Sequence, residues 1–158
     1  MADASNDLTM RAREEDYEVA LPAHWTKREL PDGTWILHST KGPESLRVRV
    51  LEPADGGAVD DPERGAKAAA EGLTSAMAEH HLVKSGWDGK TFSITGTGSS
   101  QQKASLAFRV LADQRKIVWA LHEVSAASPS SSNGHGTTAA DPALDERRLA
   151  ILASLSLR

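Results

Sequence analysis

Six histidines, His24, His38, His80, His81, His122 and His135, are the side chains of this chain most suited to acid–base or metal chemistry. Only His80 and His81 are adjacent, and the Ala-rich stretch before them places the pair at a helix C-terminus. Neighbours on a helix point about 100° apart and do not converge on one ion. A cationic side chain at a helix C-terminus already has an electrostatic role there. Serines are plentiful, but no G-x-S-x-G elbow occurs. Gly96-Thr97-Gly98, followed by Ser99-Ser100, lacks the third glycine and the lysine of a phosphate loop and reads as a hairpin turn. The run Glu14-Glu15-Asp16 reads as solvated charge, because catalytic carboxylates need burial or a paired environment. The chain has no cysteine, which removes disulfides, Cys-ligated metals and thiol nucleophiles together. No catalytic residue, metal or cofactor is assigned, and the chain is expected not to be an enzyme. A hydrolase is kept only as a third reading.

Binding residues are easier to nominate. Arg47, Arg49, Arg109 and His122 each occupy the register opposite the apolar residues of their strands, so all four could line one sheet face. Such a face is either ordinary solvated surface, partly covered by the terminal helix, or a polar groove for an acidic or extended partner. Trp25 and Trp87 lie beside turns, where an aromatic closes the edge of a core or anchors a partner. Trp119 falls in the apolar register and is assigned to the core.

The elements that must position these residues follow from periodicity and punctuation. Tyr17, Val19 and Leu21 alternate with Glu18 and Ala20 as a half-buried strand does. Residues 26–30 and 34–39 pair as a hairpin across Pro31-Asp32-Gly33. After a turn at Lys41-Gly42-Pro43, Leu46, Val48 and Val50 alternate with Arg47 and Arg49. A loop over 53–60 leads to Asp61 as N-cap and Pro62 at the first helical position. Ala66, Ala69, Ala70, Leu73, Ala76 and Met77 form one stripe of a helix expected over 61–80. Gly72 inside it costs roughly 1 kcal/mol relative to alanine, so this helix depends on packing.

Residues 82–124 read as an antiparallel meander, punctuated by Gly86 and Asp88-Gly89, with turns at 96–100 and at Asp113-Gln114. Leu106, Phe108 and Val110 alternate along one strand, and Ile117, Trp119 and Leu121 along the next. The low-complexity segment 125–140 is expected to be a mobile loop. Asp141-Pro142 repeats the helix start, with Leu144, Ile151, Leu152 and Leu155 as the buried stripe. Residues 1–14 are polar and expected to be a disordered tail. Residues 15–158 are expected to form a single domain.

Composition narrows the function classes. The chain has 158 residues, 39% hydrophobic and 25% charged, enough to bury one core. A net charge of -4 gives no general attraction for nucleic acid. No apolar run approaches the roughly 20 residues that span a bilayer. The opening MADASNDLTMRAREED lacks the basic start and apolar core of a secretory signal, so a cytoplasmic location is expected.

The opening Tyr17-Glu18-Val19-Ala20-Leu21-Pro22-Ala23-His24-Trp25, with its Pro-x-x-Trp step, resembles the PsbP-like family. So do the central helix between two groups of strands and the ending Ile151-Leu152-Ala153-Ser154-Leu155-Ser156-Leu157. The resemblance implies an α+β fold: a PsbP-like antiparallel sheet of about six strands with two helices packed on it. It also implies a non-enzymatic protein-binding or chaperone-like adaptor of bacterial type, some relatives being secretion-associated, with a protein as partner. The alternative is a small-molecule or lipid carrier. A closed apolar cavity between sheet and helix would mark the carrier, and an open groove or exposed apolar patch the adaptor.

Overall fold

A computed structural model of the chain describes residues 10–13, 17–21, 25–40, 44–51, 61–124 and 142–157. The tail over 1–9, the turn at 41–43, the loop over 53–60, the low-complexity segment 125–140 and the N-cap expected at Asp141 lie outside them, as do His24 and His135.

The chain opens with β1 (Met10–Arg13) and β2 (Tyr17–Leu21), then β3 (Trp25–Glu29), β4 (Trp35–Ser39) and β5 (Glu44–Leu51). Helix α1 (Pro62–Ser75) follows. The meander is β6 (Glu79–Asp88), β7 (Thr91–Ser99), β8 (Ser105–Ala112) and β9 (Ile117–Val124). Helix α2 (Pro142–Ser154) and β10 (Ser156–Leu157) close the chain. The α+β class holds, with an antiparallel sheet and two helices on it. The main sheet has seven strands, ordered β3-β4-β5-β9-β8-β7-β6, and β1-β2-β10 form a second sheet. The tail expected over 1–14 therefore contains a strand, since Met10–Arg13 pairs antiparallel with β2.

The start of α1 follows the sequence closely. Asp61 is extended, with φ -137°, and its carboxylate accepts the Arg64 backbone N–H at 3.2 Å. Pro62 supplies a preset φ where no N–H is needed. Asp61→Ala is expected to lower stability by about 1 kcal/mol, read as a shift of the urea midpoint at unchanged slope.

The helix ends earlier than its alanines suggest. The Thr74 and Ser75 hydroxyls turn back onto the carbonyls of Glu71 and Gly72, and the Ala78 N–H already bonds Ser99 O of the sheet at 2.8 Å. His80 and His81 thus lie in β6, not at a helix C-terminus. The turn expected at 96–100 also moves. Gly96 and Gly98 are inside β7, and the chain reverses over Ser100–Ala104, with Lys103 at φ 65°. The glycines answer to packing. A Cβ on Gly96 would overlap the Phe108 ring, and one on Gly98 would meet Met77 Sδ at 2.6 Å.

Each face of the main sheet carries a packed core. Paired residues share a face, so the registers separate two cores. Toward α2 and the small sheet lie Leu37, Leu46, Val48, Ala107, Leu111, Val118 and Ala120, packed with Tyr17, Val19, Leu21, Ile151 and Leu152. Toward α1 lie Phe92, Ile94, Leu106, Phe108 and Val110, packed with Ala66, Ala70 and Met77. Small alanines on α1 let it approach the sheet closely.

Candidate functional site

The sheet does not bring the four nominated polar residues together. Arg47 and Arg49 are paired with Leu121 and Trp119, on the α1 face. His122 is paired with Leu46 and Ala107, and Arg109 with Ala120, on the α2 face. The reason is the double covering. The apolar residues of β5 face α2, whereas the large apolar residues of β9 face α1. Alternation within a strand separates two faces without saying which of them is shared with the next strand.

His122 is the centre of a buried polar network. It is 0% exposed, and its Nε2 lies 3.2 Å from Glu44 Oε1. Its Nδ1 accepts the Arg148 Nε–H at 2.9 Å. That assignment leaves the proton on Nε2, where it is donated to the Glu44 carboxylate. Arg148 also donates from Nη1 to Ser105 Oγ at 2.8 Å and from Nη2 to Ser105 O at 3.1 Å. One arginine thereby joins α2 to β8 and β9, and His122 carries the network on to Glu44 in β5. Both ring nitrogens of His122 are engaged and out of reach of solvent, so it does not serve as an accessible base.

Arg109 is likewise occupied. Its Nη1 donates to the carbonyls of Leu152, Ala153 and Leu155 at 2.9, 3.1 and 3.0 Å. A guanidinium at the end of α2 satisfies orphan carbonyls and opposes the negative end of the helix dipole. Burial pushes its pKa below the ordinary guanidinium value, with Asp88 acting in the opposite direction. Trp25 is 3% exposed, with its ring 6.3 Å from that of His122, so it belongs to the core and not to a docking surface. Trp87 is 52% exposed. It donates from Nε1 to Glu63 Oε1 at 3.2 Å and packs edge-on against Phe92 at 5.3 Å.

What remains for binding is the flank of the α1 face that the helix does not cover. Helix α1 packs on β7, β8 and β9. Across β3, β4 and β5 the same face carries Arg28, Ile36, His38, Arg47 and Arg49. Arg28, His38 and Arg47 are exposed, and Arg49 is half-buried. Arg28 and Arg47 flank Ile36 from either side, with Cα atoms roughly 10 Å apart across the sheet. Arg49 Nη1 lies 3.7 Å from Asp32 Oδ2. Hydrogen bonds from Thr34 hold the Asp32 carboxyl below the usual carboxylate range, and Arg49 adds to this. Thr26 Oγ1 and His38 Nε2 are 3.1 Å apart. Arg28 and His38 were missed in the sequence. Counting outward from the Pro31-Asp32-Gly33 turn would have paired Arg28 with Ile36 and placed both beside Arg47.

Among the described residues, two clefts open to solvent. One, of about 340 Å³, is lined by Arg109, Asp88, Thr91, Ser93 and Leu155 on the α2 face. The other, of about 270 Å³, runs between α1 and β6, past Lys67, Glu71, Thr74, His80 and Leu82. No helix among the described residues is long and apolar enough to cross a membrane.

No protein-family model matches this chain, and no curated protein matches it. Among solved structures it is similar to cyanobacterial PsbP (CyanoP) from Synechocystis sp. PCC 6803. The TM-score is 0.55 at 14% identity, covering 94% of this chain and 92% of that one. That likeness shows a PsbP-like fold. A protein from Bacteroides thetaiotaomicron VPI-5482 gives a TM-score of 0.45 at 14% identity, covering 90% of this chain and 45% of that one, too slight to carry an argument.

Proposed function

We propose that this chain, with its PsbP-like fold, is a non-enzymatic, chaperone-like adaptor of a bacterial cytoplasm. It docks an extended, acidic segment of a partner protein across β3, β4 and β5. The observation that carries this reading is the flank that α1 leaves uncovered, with Arg28, Arg47 and Arg49, on a chain whose net charge is -4. Guanidinium groups pair bidentately with carboxylates, and a basic patch attracts an acidic segment locally while disfavouring a basic one. Ile36 between the arginines offers an apolar contact for a side chain of the docked segment. The non-enzymatic part of the reading is supported by His122, both of whose ring nitrogens are bonded within the fold, and by Arg109, whose Nη1 holds the end of α2. The carrier alternative is less well supported, because among the described residues both clefts open to solvent and neither is a closed apolar cavity.

The test uses Arg47→Ser combined with Arg49→Ser. Both side chains reach solvent, so the thermal midpoint should stay within a few degrees of the parent. Affinity for an acidic peptide, or for a partner recovered by pull-down, should fall roughly tenfold at low salt, with a smaller difference at high salt. Equal affinity of parent and variant at every ionic strength would remove this face as the docking surface.

A further inference from the structure

The two edges of the main sheet are unlike. The β3 edge carries Thr26, Lys27, Arg28 and Glu29, all exposed, and such charges blunt strand addition. The β6 edge is ten residues long and exposed along nearly its whole length. It presents Leu82 and Val83, each 63% exposed, and the half-exposed Trp87. Its outer N–H and C=O groups face no other strand among the described residues. A long edge with exposed aliphatic side chains is a template for pairing.

The occupant is identified by the bulge. In β6 the register against β7 slips between Leu82 and Lys84. Before the slip, His80 and Leu82 share the α1 face. After it, Ser85 and Trp87 do, because they pair with Ile94 and Phe92. A regular strand cannot pair antiparallel with its own copy about an axis between two residues, since each side chain would meet one on the opposite face. The bulge removes that obstacle. When the axis passes between Val83 and Lys84, all ten residues pair. His80 then meets Trp87 of the second copy, and Leu82 meets Ser85, all on the α1 face. His81 meets Gly86 on the other.

The geometry points to β6 as the site where a second copy of this chain adds, joining two seven-stranded sheets into one. This surface is separate from the β3–β5 flank proposed above. In the paired state the exposed Trp87 of each copy comes beside His80, at the mouth of the groove between α1 and β6. That groove, about 270 Å³ and lined by Ala70, Thr74, Leu82 and Ile94 among others, has room for an indole ring. One pair in this register is unfavourable: Glu79 faces Asp88 of the second copy at each end.

That mismatch makes the register testable. Sedimentation equilibrium of the full chain should show a monomer–dimer equilibrium. Leu82→Glu with Val83→Glu changes two exposed side chains, so it should abolish the dimer and leave the circular dichroism native. Glu79→Lys converts two repulsive pairs into attractive ones and should tighten the dimer roughly fivefold or more. Because the chain has no cysteine, a single Lys84→Cys is a clean probe. The two copies of residue 84 would sit diagonally about 6 Å apart, within the range that a disulfide accepts. Lys84→Cys should cross-link on mild oxidation and Lys27→Cys on the β3 edge should not. A monomer at all concentrations overturns the inference, as would happen were the edge reserved for a peptide of another protein. So does a dimer that survives the double glutamate change, or one that Glu79→Lys leaves unchanged or weakens.

Discussion

Replacing Arg148 with alanine is expected to lower stability by about 3–5 kcal/mol, a large part of what a domain of this size has to lose. Arg148 is 6% exposed and donates to His122 Nδ1, Ser105 Oγ and Ser105 O. Its loss removes a buried positive charge bonded to His122, whose other ring nitrogen faces the buried Glu44 carboxylate. What remains is a buried acceptor on His122 beside the buried Glu44 carboxylate, and a half-buried hydroxyl and carbonyl on Ser105. Breaking one member of a buried ion network costs more than the network contributes, because the remaining charge stays desolvated. Arg148→Lys tests geometry apart from charge. An ammonium keeps the charge but cannot present the guanidinium fork to two residues at once, so a loss of about 1–2 kcal/mol is expected. Urea unfolding with an unchanged slope measures both. A cost below about 1 kcal/mol for Arg148→Ala would show that the network contributes little beyond filling space.

The network also marks where the sequence stops being legible. The strand β5, with its one apolar register, is read correctly from alternation, whereas in β2 the Ala20 expected to face outward is buried as well. The Pro31-Asp32-Gly33 turn and the Asp61-Pro62 helix start are local signals with local causes. The errors arise where a distant partner decides. Helix α1 ends at Ser75 because β6 competes for the next residues, and no feature of the alanine stripe announces that competition. Leu106 through Ala112 are buried on both faces, apart from the half-buried Arg109, so alternation there separates two cores and not core from solvent. That is why Arg47 and Arg49 parted from Arg109 and His122. The identity of His122 as a core residue had no sequence signal, since its partners Glu44 and Arg148 are 78 and 26 positions away. Arg109 as the cap of α2 is hidden for the same reason. The short β1 is set by pairing with β2; its own MRAR sequence alternates Met10 and Ala12 with two arginines, but over four residues that is too short a run to announce a strand.

Gly96→Ala should be nearly as damaging as the loss of Arg148, although it adds one methyl group. Gly96 lies inside β7, paired with Phe108 in β8 and with Leu82 in β6. A Cβ there would stand 2.6 Å from Phe108 Cε1, closer still to Cζ, and 2.8 Å from the His81 carbonyl oxygen. Neither neighbour can yield. The Phe108 ring is fully buried beneath Ala66 and Ala70 of α1, and the carbonyl is part of the strand backbone. Strand propensity favours alanine over glycine by less than about 1 kcal/mol, whereas overpacking costs about 1–3 kcal/mol and more where backbone must move. A net loss of about 2–3 kcal/mol follows for alanine, and valine should be worse. Gly86 in β6 supplies the control, because a Cβ there meets nothing within 4 Å. Gly86→Ala should be neutral or slightly stabilising. Phe108→Leu provides the second half of the argument. It shortens the side chain that covers Gly96, so in the Gly96→Ala background it should cost less than in the parent, a coupling of about 1 kcal/mol between neighbours. Additive losses, or a Gly96→Ala chain as stable as Gly86→Ala, would mean that the Phe108 ring does not rest on the glycine. The close packing of α1 over β7 and β8 would then need another cause.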